Sequence, residues 1–97
     1  VVEYFRKKGF DIEIRSNTLQ AVVWSTSVQH GTGGAIGIIS IQNLKAIDRE
    51  IIIGIYNERM RVDVYFSNSS PAVRQAVYDR FERELQDALE MLEAEGG

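Results

Sequence analysis

The sequence predicts an all-α fold with a central buried helix over 18–30 and a long C-terminal helix over 71–93. Segment 71–93 repeats apolar residues at helical spacing along one face. Segment 18–30 does so on two opposite faces, which is typical of a helix enclosed by others. Period-two alternation, the pattern of a strand, is confined to two short stretches, 10–16 and 61–68. Helices therefore dominate the prediction.

Composition indicates one ordered domain over residues 1–97, with 44% hydrophobic and 26% charged residues. The absence of cysteine excludes disulfides and thiolate metal sites, and one histidine excludes a multi-histidine site. A net charge of -3 without a basic block argues against nucleic acid as a partner. No apolar run reaches the ~20 residues of a membrane span, so no membrane partner is expected. Neither GxGxxG nor GxxxxGK occurs, and no cofactor is expected.

Two helices are predicted in the first third of the chain. Residues 1–8 read as the last turns of a helix, with Gly9 at the position after its end. Residues 10–16 fit a strand and an extended loop about equally well, because no partner strand is obvious. Ser16 or Asn17 then caps the helix over 18–30. Its first face carries Leu19, Val22, Val23 and Thr26, and its opposite face carries Ala21, Trp24 and Val28.

The remaining segments alternate between breaks and helices. HGTGG (30–34) is a break, and 35–45 is ambiguous between strand and helix, with helix favoured. Asp48 is the expected N-cap of a helix over 49–60, in which a glycine at position 54 indicates close approach of another group. Ser70 and Pro71 form a typical start for the last helix.

Several side chains are candidates for chemistry, each with a structural alternative. His30 as a general base would need an activated nucleophile, and Ser27 lacks the strained turn that exposes one, so a structural or cleft-lining histidine is favoured. Trp24 is predicted in the core rather than in a ligand platform. Gln29 has no core role and is expected to direct its amide into a cleft.

The end of the third helix offers three further candidates, Tyr56, Glu58 and Arg59. One interpretation is a solvated helix end with one buried tyrosine, and this is favoured. The alternative places Tyr56 and Arg59 at the edge of a sugar-binding cleft. No carboxylate has a flanking pattern that marks it as a catalytic acid, and the acids of the last helix are interpreted as a solvated face: Glu82, Glu84, Asp87 and Glu90.

Three segments together carry a family resemblance that covers about residues 17–92. VWSTSVQHG (23–31) resembles a WSTxVQHG segment, IIIGIYNERMR resembles an IYxER helix end, and SSPAVRQAVYDRFERELQDALEML resembles a final NRYxxExxDALxML helix. The family is lysozyme-like and chitosanase-related. It occurs in phage structural proteins and in cell-wall-degrading effectors of type VI secretion systems.

The resemblance implies a lysozyme-like glycoside hydrolase of peptidoglycan, delivered to the periplasm or otherwise secreted. The family's catalytic glutamate belongs to an ESGG-like segment before a GGxSYGxYQ stretch, and neither occurs here. The chain thus corresponds to the C-terminal half of such a domain, inactive alone. Its implied partners are glycan strands, the N-terminal half and, through an exposed apolar face, a second copy. Five residues map onto family motifs as cleft or scaffold residues: Gln29, His30, Tyr56, Glu58 and Arg59. The alternative is a non-catalytic helical module that binds glycan or protein.

Overall fold

A computed structural model describes residues 1–96, and these residues form helices and turns without a strand. The elements are α1 (Val2–Lys7), a 3₁₀ turn (Ile12–Ile14), α2 (Asn17–Ser40), α3 (Asp48–Arg59), α4 (Val62–Tyr65) and α5 (Pro71–Ala94). The all-α prediction is confirmed. Among the helices of residues 1–96, none combines the length and the apolar character that crossing a membrane requires.

Helix α2 is one long element with a kink at its centre. Ser16 caps it, since its Oγ accepts a hydrogen bond from the Leu19 backbone N–H at 3.0 Å. Gly31 interrupts the helix with φ 75° and ψ 170°, a backbone conformation almost restricted to glycine. The predicted break at 30–34 is therefore a single-residue kink. The favoured helix over 35–45 is confirmed as far as Ser40, where α2 ends.

The core lies where α2, α3 and α5 meet. Leu19 from α2, Ile52 from α3 and Phe81 from α5 are fully buried. Only one face of α2 takes part, however. Trp24 is 70% exposed and Val28 is 66% exposed, so the prediction that both faces are enclosed is wrong, as is the core placement of Trp24. The physical reason is that α3 and α5 both pack on the face that carries Leu19.

The N-terminal segment combines a confirmed and a corrected prediction. Helix α1 ends before Gly9, which adopts the left-handed φ of +88° expected after a helix end. Within residues 10–16, Ile12–Ile14 form a 3₁₀ turn rather than a strand, and the residues on either side of the turn are irregular. The Asp11 side chain stabilises this turn by accepting from the Glu13 N–H at 3.0 Å. Ile12 is buried and Ile14 is exposed, because the turn directs them differently.

Helix α3 starts differently from the prediction. Ile47 occupies the N-cap position, and Asp48 is the first helical residue. The Asp48 carboxylate instead accepts from the Ser16 backbone N–H at 2.9 Å and pairs with Arg15 at 2.6 Å, which ties the start of α3 to that of α2. The close approach expected at Gly54 is confirmed. A Cβ there would lie 2.0 Å from the Gln42 Oε1.

The C-terminal elements include one corrected prediction and two confirmed ones. Residues 61–68 contain the short helix α4 rather than an alternating strand. Ser70 caps α5 through a 3.2 Å hydrogen bond from the Val73 N–H, and Pro71 takes the first helical position. The long helix over 71–93 is confirmed, with Phe81, Leu85 and Leu92 in the core.

Candidate functional site

A buried arginine joins the three core helices. Arg59, at the end of α3, is 1% exposed. Its Nη1 donates to Thr26 Oγ1 at 3.2 Å and to Ser25 Oγ at 3.3 Å, both on α2. Its guanidinium lies 4.3 Å from the ring centre of Phe81 on α5 and 4.7 Å from that of Tyr56. Both distances are typical of cation–π contacts. Arg59 thus links α3 to both neighbouring helices.

Glu84 on α5 provides the counter-charge. Its carboxylate lies 3.8 Å from Arg59 Nη2 and 3.3 Å from Arg80 Nε, and Tyr56 donates its hydroxyl hydrogen to it at 3.3 Å. Glu84 is one-third exposed rather than a member of a fully solvated face, so that sequence-based interpretation is wrong for this residue. Two signals pointed to it: the four-residue spacing from Arg80 and its position beside the core residue Leu85.

Three of the five sequence-predicted site residues meet around Glu84. Tyr56 and Arg59 contact it directly, and Gln29 accepts a hydrogen bond from Arg80, which also pairs with Glu84. Burial raises the pKa of Tyr56, and the Glu84 carboxylate raises it further against the opposing charge of Arg59. Tyr56 therefore remains a neutral hydrogen-bond donor at physiological pH.

His30 lies apart from this group, in an aromatic cluster. Its ring centre is 5.4 Å from that of Tyr65, 6.0 Å from that of Phe81 and 6.2 Å from that of Phe66. Burial, and secondarily the charge of Arg59, lower the pKa of His30 from 6.5 to about 4. The ring is therefore neutral at pH 7. Ser27 donates its hydroxyl hydrogen to the Val23 carbonyl at 2.9 Å. The His30 Nε2 is buried without a hydrogen-bond partner among residues 1–96. The assignment of His30 as a structural or cleft-lining residue stays a prediction.

Glu58 is separate from the Glu84 group although it neighbours Arg59 in sequence. It accepts hydrogen bonds from Arg61 at 2.9 Å and from the Tyr65 hydroxyl. The hydrogen bond from Tyr65, together with the charge of Arg61, lowers the pKa of Glu58 although burial opposes the shift. Adjacent helical residues point in different directions, which is why Glu58 and Arg59 have different partners.

A groove of about 270 Å³ opens next to the Glu84 group, between α2 and α5. We call it the α2–α5 groove. Its walls are mainly apolar, and its lining includes Ala21, Trp24, Ser25, Tyr56, Glu84 and Asp87. A mainly apolar cleft with a few convergent polar groups is the usual form of a small-molecule site.

A second groove, of about 550 Å³, lies on the other side of Trp24, between the N-terminal residues and α2. We call it the α1–α2 groove. Its lining includes Glu3, Glu13, Gln20, Trp24, Ser27 and Thr32. Trp24 is thus a wall of both grooves. Sequence reasoning missed both, because each groove depends on how α2 packs against other elements.

Metal binding has no obvious location in the described part of the chain. Across residues 1–96, no group of three or more His, Asp or Glu side chains is placed to hold a metal ion.

Comparison with known proteins places the chain in a family. Neither the curated proteins nor the solved structures contain a significant match. One family model matches residues 1–85, and its description is "Type VI secretion system spike protein VgrG3-like, C-terminal". The match confirms the type VI secretion context of the sequence resemblance. Because it covers most of the 97 residues, the chain belongs to the family of VgrG3-like type VI secretion spike proteins, in their C-terminal region.

Proposed function

We propose that this chain is the glycan-contacting part of a peptidoglycan hydrolase that a type VI secretion spike delivers to the target cell. The general-acid glutamate and the rest of the catalytic lobe are proposed to lie upstream of Val1. The observation that carries the proposal is the position of Trp24. This indole is 70% exposed and lines the α2–α5 groove together with polar residues that include Ser25, Glu84 and Asp87.

The composition of the α2–α5 groove suits a sugar. A sugar ring has apolar C–H faces and a rim of hydroxyl groups, so it needs a flat apolar surface and hydrogen-bonding partners at the side. The indole of Trp24 offers a large, rigid contact surface. Ser25, Glu84 and Asp87 line the same groove and supply oxygen atoms as hydrogen-bond acceptors. The ion pairs with Arg59 and Arg80 hold Glu84 in place.

Three carboxylates of this chain are unsuited to the role of the general acid. A glycosidase general acid must stay protonated, which requires a raised pKa. Three carboxyl groups have the opposite shift. Hydrogen bonds from Thr18 and from backbone N–H groups lower the pKa of Glu95, the bond from Tyr65 lowers that of Glu58, and contacts with Ser16 and Arg15 outweigh burial and lower that of Asp48. These three carboxylates are held ionised as structural partners.

A turbidity assay on purified cell walls tests the catalytic part of the proposal. Residues 1–97 alone are expected to leave the walls intact, and a version extended upstream of Val1 is expected to clear them. Lysis by residues 1–97 alone would contradict the upstream location of the acid. Intact walls in both samples would contradict the hydrolase assignment.

A pull-down with insoluble peptidoglycan tests the binding part. Trp24→Ala should reduce retention of the chain at least tenfold, because it removes the exposed apolar wall of the groove. Tyr78→Ala is the matched control, since Tyr78 is also an exposed aromatic residue but lies at a different groove, with Val62 and Arg74. Equal retention of the two variants would remove the basis for assigning the glycan to Trp24.

The second candidate is a non-catalytic module that binds glycan on behalf of the spike. The lowered pKa values of Asp48, Glu58 and Glu95 agree with this candidate as well as with the hydrolase, since they assign these carboxyl groups to structure rather than to proton donation. Retention on peptidoglycan without cleavage, even by the extended protein, would select this candidate over the hydrolase.

A further inference from the structure

Two buried nitrogen atoms, Arg59 Nε and His30 Nε2, lie in the core without a hydrogen-bond partner among residues 1–96. Neither residue belongs to the lining of the α2–α5 groove or of the α1–α2 groove. We propose that one internal water molecule bridges the two atoms, accepting a hydrogen bond from the Arg59 Nε–H and donating one to His30 Nε2. We call this position the core water site. It does not depend on the proposed glycan function.

The burial of both atoms creates the need for a partner. A buried polar group that forms no hydrogen bond loses its bonds to solvent without a replacement, which destabilises the fold. The rest of the Arg59 guanidinium has partners: Nη1 donates to Thr26 and Ser25, and Nη2 lies 3.8 Å from Glu84. The Nε–H is therefore the part of this fully buried side chain that still requires an acceptor.

The two nitrogen atoms occupy the same region of the core. Thr26, which accepts from Arg59 at 3.2 Å, lies four residues before His30 on α2, so both residues lie on one side of the helix, one turn apart. The ring centre of Phe81 lies 4.3 Å from the Arg59 guanidinium and 6.0 Å from the His30 ring centre. A water with two hydrogen bonds of about 2.9 Å each spans polar atoms that are too far apart to bond directly.

The hydrogen-bonding chemistry of the two atoms selects water. The Arg59 Nε–H only donates. Burial, and secondarily the charge of Arg59, keep the pKa of His30 at about 4, so the ring is neutral at pH 7 and one of its nitrogens is an acceptor. A water molecule accepts from the first atom and donates to the second, and buried waters typically bind two to four polar groups. An anion would instead require the hydrogen on His30 Nε2.

The bridge has a consequence for the shape of α2. It extends the contacts of Arg59 along α2 by one turn, from Thr26 to His30, the residue before the Gly31 kink. It also places the His30 hydrogen on Nδ1, because the tautomer of a histidine is set by the bond that its other nitrogen makes. The core water site thus fixes the His30 ring where α2 changes direction.

The tautomer of His30 provides the first test. A long-range ¹H–¹⁵N spectrum of the labelled chain at pH 7 shows which ring nitrogen carries the hydrogen, and His30 is the only histidine in the sequence. We expect the Nδ1–H form in at least tenfold excess, although imidazole in water prefers the other form. Predominance of the Nε2–H form would overturn the bridge. A scalar coupling between Arg59 Nε and His30 Nε2 would show a direct hydrogen bond and would also overturn it.

Magnetisation transfer from water to the Arg59 Nε–H proton provides the second test. A bound water gives a cross-peak that changes sign between NOESY and ROESY spectra, whereas proton exchange gives the same sign in both. We expect the sign change for Arg59 and exchange alone for the exposed Arg61, the matched control. A missing cross-peak at Arg59, or one without the sign change, would contradict a bound water.

Two variants separate the bridge from the hydroxyl protons of Ser25 and Thr26, which also contact Arg59. His30→Phe retains an aromatic ring but removes the acceptor, and the Arg59 cross-peak should disappear. Tyr65→Phe, at the ring next to His30, is the control and should retain it. A cross-peak that persists in His30→Phe would arise from those hydroxyls or from a water that does not need His30, and would overturn the bridge. The two measurements on the unsubstituted chain remain decisive if a variant does not fold.

Discussion

Helix α2 has two apolar faces, and the fold uses them in opposite ways. The face with Leu19, Val22 and Thr26 is buried against α3 and α5 and forms the centre of the core. The opposite face presents Trp24 and Val28 to solvent, at 70% and 66% exposure, and separates two grooves. Residue type alone does not distinguish the faces, since both are apolar.

The two faces differ in the hydrogen-bonding partners of the polar groups that lie beside them. On the buried face, Thr26 accepts from the fully buried Arg59, which is itself paired with Glu84, so the interior includes a paired charge, although the Arg59 Nε has no hydrogen-bond partner among residues 1–96. On the open face, the neighbouring polar groups of Gln20 and Ser27 keep acceptors available toward a groove. One face is therefore built for stability and the other is available for binding.

The largest effect is expected from the buried charge. Arg59→Met leaves Glu84 without its buried partner and removes the link between α2, α3 and α5, which should lower the free energy of unfolding by about 3 kcal/mol. Arg61→Met removes an exposed pair with Glu58 and should cost less than about 1 kcal/mol. Urea denaturation of both variants measures the contrast. Equal losses would show that Arg59 does not hold the core together.

The two faces of α2 can be compared directly by truncation. Leu19→Ala removes a fully buried side chain and should cost about 3 kcal/mol. Val28→Ala, on the open face, should change the free energy of unfolding by no more than about 0.5 kcal/mol. Thermal or urea unfolding provides both values. A large loss for Val28→Ala would mean that the second face is covered in solution.

The aromatic cluster around His30 predicts a dependence on pH. The pKa of His30 is about 4 in the folded chain, whereas the ordinary histidine value of 6.5 applies to the unfolded chain, which therefore binds the proton more readily. Stability is complete above pH 6.5 and declines as the pH falls toward 4, by about 2 kcal/mol after allowance for partial exposure. Urea denaturation at pH 7 and pH 4.5 measures this loss.

A matched variant assigns the pH effect to His30. His30→Phe retains an aromatic ring among Tyr65, Phe66 and Phe81 but carries no titratable group. It should abolish most of the loss between pH 7 and pH 4.5. The carboxylates with lowered pKa values contribute below this window, because their ordinary values are 4.5 or less. An unchanged pH dependence in His30→Phe would refute the assignment.

The smallest effect concerns the contact between Gly54 and Gln42. Gly54→Ala gains about 1 kcal/mol in helix propensity. It also displaces the Gln42 side chain, whose hydrogen bond to the Ile38 carbonyl is worth about 1 kcal/mol, so the net change should be near zero or unfavourable. In a Gln42→Ala background the same substitution should become stabilising. A double-mutant cycle in urea provides the comparison, and strict additivity would contradict the contact.

Features with a local cause could be predicted from the sequence. The start of α5 at Ser70 and Pro71 and the end of α1 before Gly9 depend on residues within one turn, and both predictions are confirmed. The all-α class follows from the periodicity of the long helices in the same way. The break at residues 30–34 is shorter than its three glycines indicated, because only Gly31 leaves the helical backbone conformation.

Features with a long-range cause could not be predicted. Asp48 is not an N-cap because Arg15 and Ser16, more than thirty residues earlier, take its carboxylate. Glu84 lies four residues after Arg80, which indicates a helical ion pair, but its contact with Arg59 depends on how α3 packs on α5. Trp24 is exposed because of where α3 and α5 pack, which periodicity within α2 cannot indicate.

Acrylamide quenching of Trp24 fluorescence, with and without an N-acetylglucosamine hexamer, tests the central claim most directly. We expect strong quenching in the free chain, close to that of free N-acetyltryptophanamide, because the indole is 70% exposed. The hexamer should reduce the quenching constant at least twofold by covering the indole. Weak quenching in the free chain, independent of the hexamer, would place Trp24 in a covered position and contradict the division of α2 into a core face and a binding face.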